Sequence, residues 1–349
     1  MPARRTAILA VVATIGAVLV IFPLVTGMLS KTQGVENLTG NLRSSFEPAA
    51  LTQTRADMDT VQAMSDQLQG QTLRALPSAL GMSPEQFQDF MGQNFPDVAS
   101  GIGQLNTILP KFEGLVGGLE AQASNFRSAD QVPTNFLPST VVPYLFLIPG
   151  AVLLVLAAGA LVLGREKPER GVSRAALLVS IVVGLVFIIA PLALSVPAKA
   201  KAVDDLTAAF GPVFTDQGAA EVRSDFTVIE KMSTQLEADT VPALAGALKM
   251  DPAQFQAFMT ENFPDVATGM AQLSEILPRF QALVAGIEGN VDNFQQAASI
   301  PTGGQDTTML IWWFLVPGVA LIALGALGVT AGAGSRPRPA PRERTLERV

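Results

Sequence analysis

Hydrophobic and polar positions follow two alternating regimes along this chain. Four stretches, Thr6 to Leu29, Ser139 to Gly164, Ala175 to Val196 and Met309 to Gly332, contain no Asp, Glu, Lys or Arg. A bilayer core of about 30 Å takes roughly 20 consecutive apolar residues in a helix, so each stretch predicts a transmembrane span. The first follows Arg4 and Arg5. It is longer than a signal-peptide core and has no small-x-small cleavage site after it, so it reads as a retained anchor. Between the spans the pattern becomes amphipathic. Val98, Ile102, Leu105, Leu109, Phe112, Val116 and Leu119 step alternately by four and three, with Ala123 filling the gap before Phe126. A period of 3.5 predicts a coiled-coil-like seam in a left-handed helical bundle. Pro110 falls inside the seam and predicts a kink or a break into two helices. A second stripe runs Met58, Val61, Met64, Leu68, Leu73, Leu76, Leu80. No alternating strand pattern of useful length appears.

The second half repeats the first at an offset of 168 residues: Pro23 matches Pro191, Phe46 matches Phe214, and Pro149-Gly150 matches Pro317-Gly318. Between Pro84–Phe126 and Pro252–Phe294, 25 of 43 positions are identical. The seam recurs as Val266, Met270, Leu273, Leu277, Phe280, Val284, Ile287, Val291 and Phe294, with Pro278 inside it. The second stripe recurs as Phe226, Ile229, Met232, Leu236, Val241, Leu244 and Leu248. Each repeat therefore reads as span, helical segment, span. Repeat 1 covers residues 1–168, with spans at 6–29 and 139–164 around a segment at 30–138. Repeat 2 covers 169–335, with spans at 175–196 and 309–332 around a segment at 197–308. A Pro/Arg-rich tail at 336–349 completes the chain. Two spans per repeat give both copies the same orientation, related by a pseudo-two-fold along the membrane normal.

Local punctuation subdivides each segment. Ser83-Pro84-Glu85-Gln86 and Asp251-Pro252-Ala253-Gln254 place a capping residue before proline, with Gln at the third helical position. This is the arrangement that satisfies the free amides of a helix start. Asn94-Phe95-Pro96-Asp97 and Asn262-Phe263-Pro264-Asp265 end that short helix and begin the next. Each segment is expected to form its own four-helix unit, with helices near 31–47, 52–80, 84–93 and 96–126 in the first copy. The fold class is thus an all-α integral membrane protein with four transmembrane helices and two duplicated extracytoplasmic four-helix domains.

Charge sets the orientation. The N-terminus (Arg4, Arg5), the loop between spans two and three (Arg165, Lys167, Arg170, Arg174) and the tail (Arg336, Arg338, Arg342, Arg344, Arg348) hold 11 of the 23 basic residues against four acids. The two long segments hold the other 12 basic residues and 26 acids. Basic residues in short segments stay on the cytoplasmic side. Both termini and the short loop are expected in the cytoplasm, and both segments outside a plasma membrane.

Composition narrows the chemistry. Of 349 residues, 49% are hydrophobic and 15% charged, against about 25% charged in a soluble domain. His and Cys are both absent, which removes disulfides, zinc and haem ligation, cysteine nucleophiles and His-based triads. No P-loop, nucleophile elbow or dinucleotide-binding glycine pattern is present. Asp57 with Asp59, and Asp204 with Asp205, do not follow a calcium-loop pattern. The expectation is a non-enzyme with no cofactor and no metal. The candidate interaction corner is Asn94, Asp97, Asn262 and Asp265, whose alternative reading is helix capping. The spans carry no buried charge, which counts against an ion-coupled transporter.

Arg exceeds Lys, and Ala and Val abound. With the tandem span–helical segment–span unit, the whole chain resembles uncharacterised integral membrane proteins of high-GC Gram-positive bacteria, a resemblance that implies no activity. Sensor ectodomains flanked by two spans are similar, but this chain lacks their cytoplasmic signalling module. Claudin-like four-span proteins differ in their paired outer-loop cysteines. Three functions are expected, in order: an accessory or scaffold subunit of the cell envelope, whose bundles bind another envelope protein or copies of the chain; binding or transfer of lipid or another hydrophobic ligand; and a sensor acting through a separate effector. The bilayer is the expected partner, and nucleic acid is not.

Overall fold

The computed structural model describes residues 3–166 and 170–333. The tail at 336–349, Lys167 and Glu169, on which part of the charge argument rests, lie outside the described residues. The described chain is almost wholly helical. The first copy contains α1 (Ala3–Val25), α2 (Met28–Leu42), α3 (Pro48–Gln67), α4 (Leu73–Ala79), α5 (Pro84–Asn94), α6 (Pro96–Asp130) and α7 (Tyr144–Glu166). The second contains α8 (Arg170–Ala193), α9 (Val196–Phe210), α10 (Asp216–Gln235), α11 (Val241–Ala247), α12 (Pro252–Asn262), α13 (Pro264–Glu288), α14 (Val291–Ala298) and α15 (Leu310–Ala333). Four helices are long and apolar enough to cross a membrane, within Ala3–Val25, Ser139–Val162, Gly171–Ala193 and Thr307–Thr330.

The chain divides into two compact units. A span unit takes the described residues of Met1–Thr32, Val132–Ala200 and Ile300–Val349; a bundle unit takes Gln33–Gln131 and Lys201–Ser299. In the span unit, α1 packs chiefly on α7 and α8 on α15. Glycine permits each approach. A methyl group on Gly16 would lie 2.8 Å from the Gly150 carbonyl oxygen, and one on Gly184 would lie 2.6 Å from that of Gly318. These contacts are 168 residues apart, and small residues at helix crossings are the usual device for close packing in lipid. Leu9, Leu19, Leu153, Leu177 and Leu321 are buried between helices, while Ile21, Val155, Ile189 and Val319 face outward. Helices apolar all round suit a lipid surround.

The bundle unit departs from the expectation of one four-helix unit per copy, because its core is shared. Buried residues of both segments form one cluster that includes Met58, Met64, Phe112, Phe226, Met232 and Phe280. The stripe on α3 packs against α13, and the stripe on α10 against α6. Met64 fills the space beside Gly269, and Met232 that beside Gly101; a methyl on either glycine would come within 2.6 Å of the opposing sulfur. The ends of the long helices cross over as well. Phe95 and Phe263 occupy the N-cap positions of α6 and α13, and their buried side chains offer no acceptor to the first amides. Gln235 Oε1 instead accepts from the amides of Asp97 (2.9 Å) and Val98 (3.1 Å). Gln67 Oε1 does the same for Asp265 (2.9 Å) and Val266 (3.0 Å). Each copy thus caps the other's seam helix, satisfying amides that a helix start leaves open.

Three local expectations change. Helices α6 and α13 run unbroken through Pro110 and Pro278. A proline inside a helix removes one backbone hydrogen bond, but Ile108 and Phe112 around Pro110 and Ile276 and Phe280 around Pro278 are buried, and their packing keeps each helix from breaking in two there. The second-copy seam breaks further on, at Gly289-Asn290 between α13 and α14. The helix expected over 52–80 is divided by a π-helical turn at Leu68–Thr72, repeated at Leu236–Thr240. There the buried hydroxyls of Thr72 and Thr240 donate to the Gln67 and Gln235 carbonyls five residues back.

Candidate functional site

The bundle unit contains a file of apolar chambers, each lined by equivalent residues of both copies. The first, about 50 Å³, lies where α2 and α9 meet the ends of α6, α13 and α14. Its lining pairs Val35 with Val203, Leu38 with Leu206, Leu42 with Phe210, Phe46 with Phe214, Leu115 with Leu283 and Phe126 with Phe294. Only Thr39, Ser45 and Thr207 bring polar side chains to it. The four chain connections of the unit, at residues 33, 131, 201 and 299, all lie within a few residues of this lining. Stacked rings frame it: Phe46 on Phe126 with centroids 4.0 Å apart, and Phe214 on Phe294 at 4.6 Å.

The second chamber, about 40 Å³, is lined by Met58, Leu105, Leu109, Phe112 and their counterparts Phe226, Leu273, Leu277 and Phe280. Phe112 and Phe280 meet edge to face with centroids 5.9 Å apart. They stand one helical turn from Leu115 and Leu283 of the first chamber. The third, about 50 Å³, is enclosed by Leu76, Met91, Val98 and Ile102 with Leu244, Met259, Val266 and Met270. Met64 and Met232 line both the second and the third. Beyond them an open groove of about 570 Å³ runs between α11, α12 and α13 of the second copy.

Charged groups stay outside this file. Arg279 forms a bidentate pair with buried Asp57, Nη2 to Oδ1 at 2.8 Å, and Lys111 holds both Asp225 (2.8 Å) and Glu221. These bridges occupy equivalent positions and join the two copies. The Asp225 and then the Glu221 hydrogen bonds raise the Lys111 ammonium above the ordinary lysine value, and Asp57 raises the Arg279 guanidinium in the same way. Among the described residues no group of three or more acidic, His or Cys side chains is placed to hold a metal ion.

The corner residues singled out in the sequence are placed in the fold as follows. Asn94 Nδ2 donates to the Phe90 carbonyl at 2.8 Å and Asn262 Nδ2 to that of Phe258 at 2.9 Å, each closing the end of its own short helix. Asp97 and Asp265 have exposed side chains in the first turns of α6 and α13, and their backbone amides take the opposite copy's Gln. The chambers were not legible as cavities. Seam positions such as Leu105 and Phe112 read as packed core, and Val35, Leu38 and Thr39 drew no notice. Their signal was identity with Val203, Leu206 and Thr207 in a stretch where the copies otherwise diverge. The lining of the three chambers is apolar apart from Ser and Thr hydroxyls. Comparison with protein-family models, with curated proteins and with solved structures returns no match.

Proposed function

We propose that this chain is a non-catalytic, multi-pass protein of the cell envelope whose bundle unit holds the acyl chain of a membrane lipid. The first chamber carries the reading. It is apolar on every side apart from three hydroxyl-bearing side chains, and it lies at the end of the bundle where all four connections leave for charge-free helices. An empty cavity of its size, 50 Å³, costs about 1 kcal/mol at about 24 cal/mol per Å³. A purely structural bundle is better served by filling it. The distribution of Lys and Arg sets the termini in the cytoplasm and the bundle outside the plasma membrane.

The test compares wild type with the double variant Val35→Ile, Val203→Ile, which adds one methylene to each side of the chamber. The full chain is extracted in a mild system and weighed by native mass spectrometry. Wild type is expected to retain lipid and the variant to lose it, with a higher thermal midpoint. Lipid-free wild type, or equal retention by the two, overturns the reading.

An accessory or scaffold role is the second reading. The open groove of about 570 Å³ between α11, α12 and α13 supports it, since Gln256, Thr260 and Gln272 line it beside Phe255 and Met259. In the same spectra, a second polypeptide at fixed stoichiometry with no retained lipid would favour that role.

A further inference from the structure

We propose that the three chambers and the groove are segments of one conduit, through which an unbranched acyl chain threads the length of the bundle and emerges between α11, α12 and α13. The proposal rests on the hydrophobic-ligand reading above and extends it from holding to transfer.

The chambers follow one another along the seam helices. On α6 the first is lined by Leu115 to Ala129, the second by Leu105 to Phe112, and the third by Val98 and Ile102. The partitions between them are side chains. Phe112 and Phe280 line the second chamber one helical turn from Leu115 and Leu283 of the first, and Met64 and Met232 line both the second and the third. Methionine is unbranched and adaptable, and an edge-to-face ring pair opens by rotation about two side-chain bonds. The third chamber then meets the surface, because Val241, Phe255, Met259 and Met270 line both it and the groove.

Length and width select the occupant. From Val98 to Ala129 the helix rises about 47 Å at 1.5 Å per residue, while one leaflet of hydrocarbon is about 15 Å deep. The file is therefore long enough for an extended chain. At 40 to 50 Å³ each chamber excludes fused rings and holds only a short run of methylenes, so a threaded chain requires the side-chain partitions to swing aside. The polar groups inside are hydroxyls, and those of Thr72 and Thr240 already serve the helix backbone. A headgroup has no partner there and must remain at one end. The groove supplies Gln256, Thr260, Thr268 and Gln272 and no charge, which suits an ester- or hydroxyl-bearing end.

The test uses the full chain in nanodiscs of its own lipids and a monoacylglycerol with a diazirine at the chain terminus. Irradiation is followed by peptide mapping. Label is expected at Leu38 and Leu206, at Met64 and Met232, and at Met259 and Met270. Leu105→Phe with Leu273→Phe, which narrows the second chamber, is expected to remove the label from Met259 and Met270 and leave it at Leu38 and Leu206. Met64→Ala with Met232→Ala is expected to increase the label at Met259 and Met270, and decides the matter if the narrowed variant does not fold. Label confined to the first chamber in every variant overturns the conduit and leaves the holding site standing. Label at the groove that persists when the second chamber is narrowed overturns it too, since the groove then fills from solvent. No label anywhere in the bundle overturns both readings.

Discussion

Lys249 and Ser195 sit in the left-handed backbone region, at φ 56° and 54°, where the first copy places Gly81 and Gly27 at 67° and 65°. A side chain there costs about 1–2 kcal/mol. The conformation is imposed by the helix end. The Met82 amide donates to the Pro77 carbonyl and the Met250 amide to that of Ala245, each at 2.9 Å, the long bond that closes a helix through a left-handed residue. Lys249→Gly is expected to stabilise the chain by about 1 kcal/mol, partly offset by the greater freedom of glycine when unfolded. Chemical denaturation would show it as a higher midpoint at unchanged slope; no gain would mean that the Lys249 side chain contributes contacts of its own. Gly81 was legible as a helix stop in the first copy. Lys249 hides the same stop, because only comparison of the two copies reveals that its backbone has no choice.

Among the elements, the crossed caps bind the copies most specifically. Gln67→Leu or Gln235→Leu leaves two amides of the opposite seam helix without an acceptor, at a cost of about 1–2 kcal/mol for each variant. The double variant is expected to lose the sum, since the two caps act on different helices and share no partner. A thermal or denaturant series on the four proteins checks it, and a loss near zero would show that water replaces the Gln oxygen. The short helices and their capping boxes were readable in advance: Ser83 and Asp251 accept from the Gln86 and Gln254 amides, as their spacing requires. The π turns have a sequence signal too. Both stripes step by five, from Leu68 to Leu73 and from Leu236 to Val241, one residue more than an α-helical turn allows. The crossed caps were not readable, because nothing near Gln67 in sequence needs an acceptor.

At the scale of the molecule, the bundle is one body made by two copies exchanging faces. The separate segment 33–131 lacks the helices that cover α3 and cap α6. Expressed alone, it is expected to form no folded monomer; a symmetric dimer is the accessible folded state, with α3 of one chain on α6 of the other. Sedimentation with circular dichroism would decide, and a cooperative folded monomer would show that each copy completes its own core. The exchange also explains why the chambers lie on the seam. Pairs such as Val35 with Val203, Phe46 with Phe214 and Leu115 with Leu283 line the first chamber from the two copies, and equal side chains do not interlock as large and small ones do.

The sequence alone determined the four apolar helices, the duplication at 168 residues, the helix starts and the helical class. These depend on composition and on neighbours within a turn or two, where length, period and capping chemistry decide the outcome. The tertiary structure decided which stripe covers which, that the two segments share one core, and that voids remain along it. Two nearly identical stripes give almost equal burial whether they pair within a copy or between copies, so hydrophobic period cannot choose. The fold pairs them between copies, with Met64 against Gly269, Met232 against Gly101 and each glutamine capping the other copy's seam helix. A void exists only where side chains from several helices fail to meet, which no single helix records.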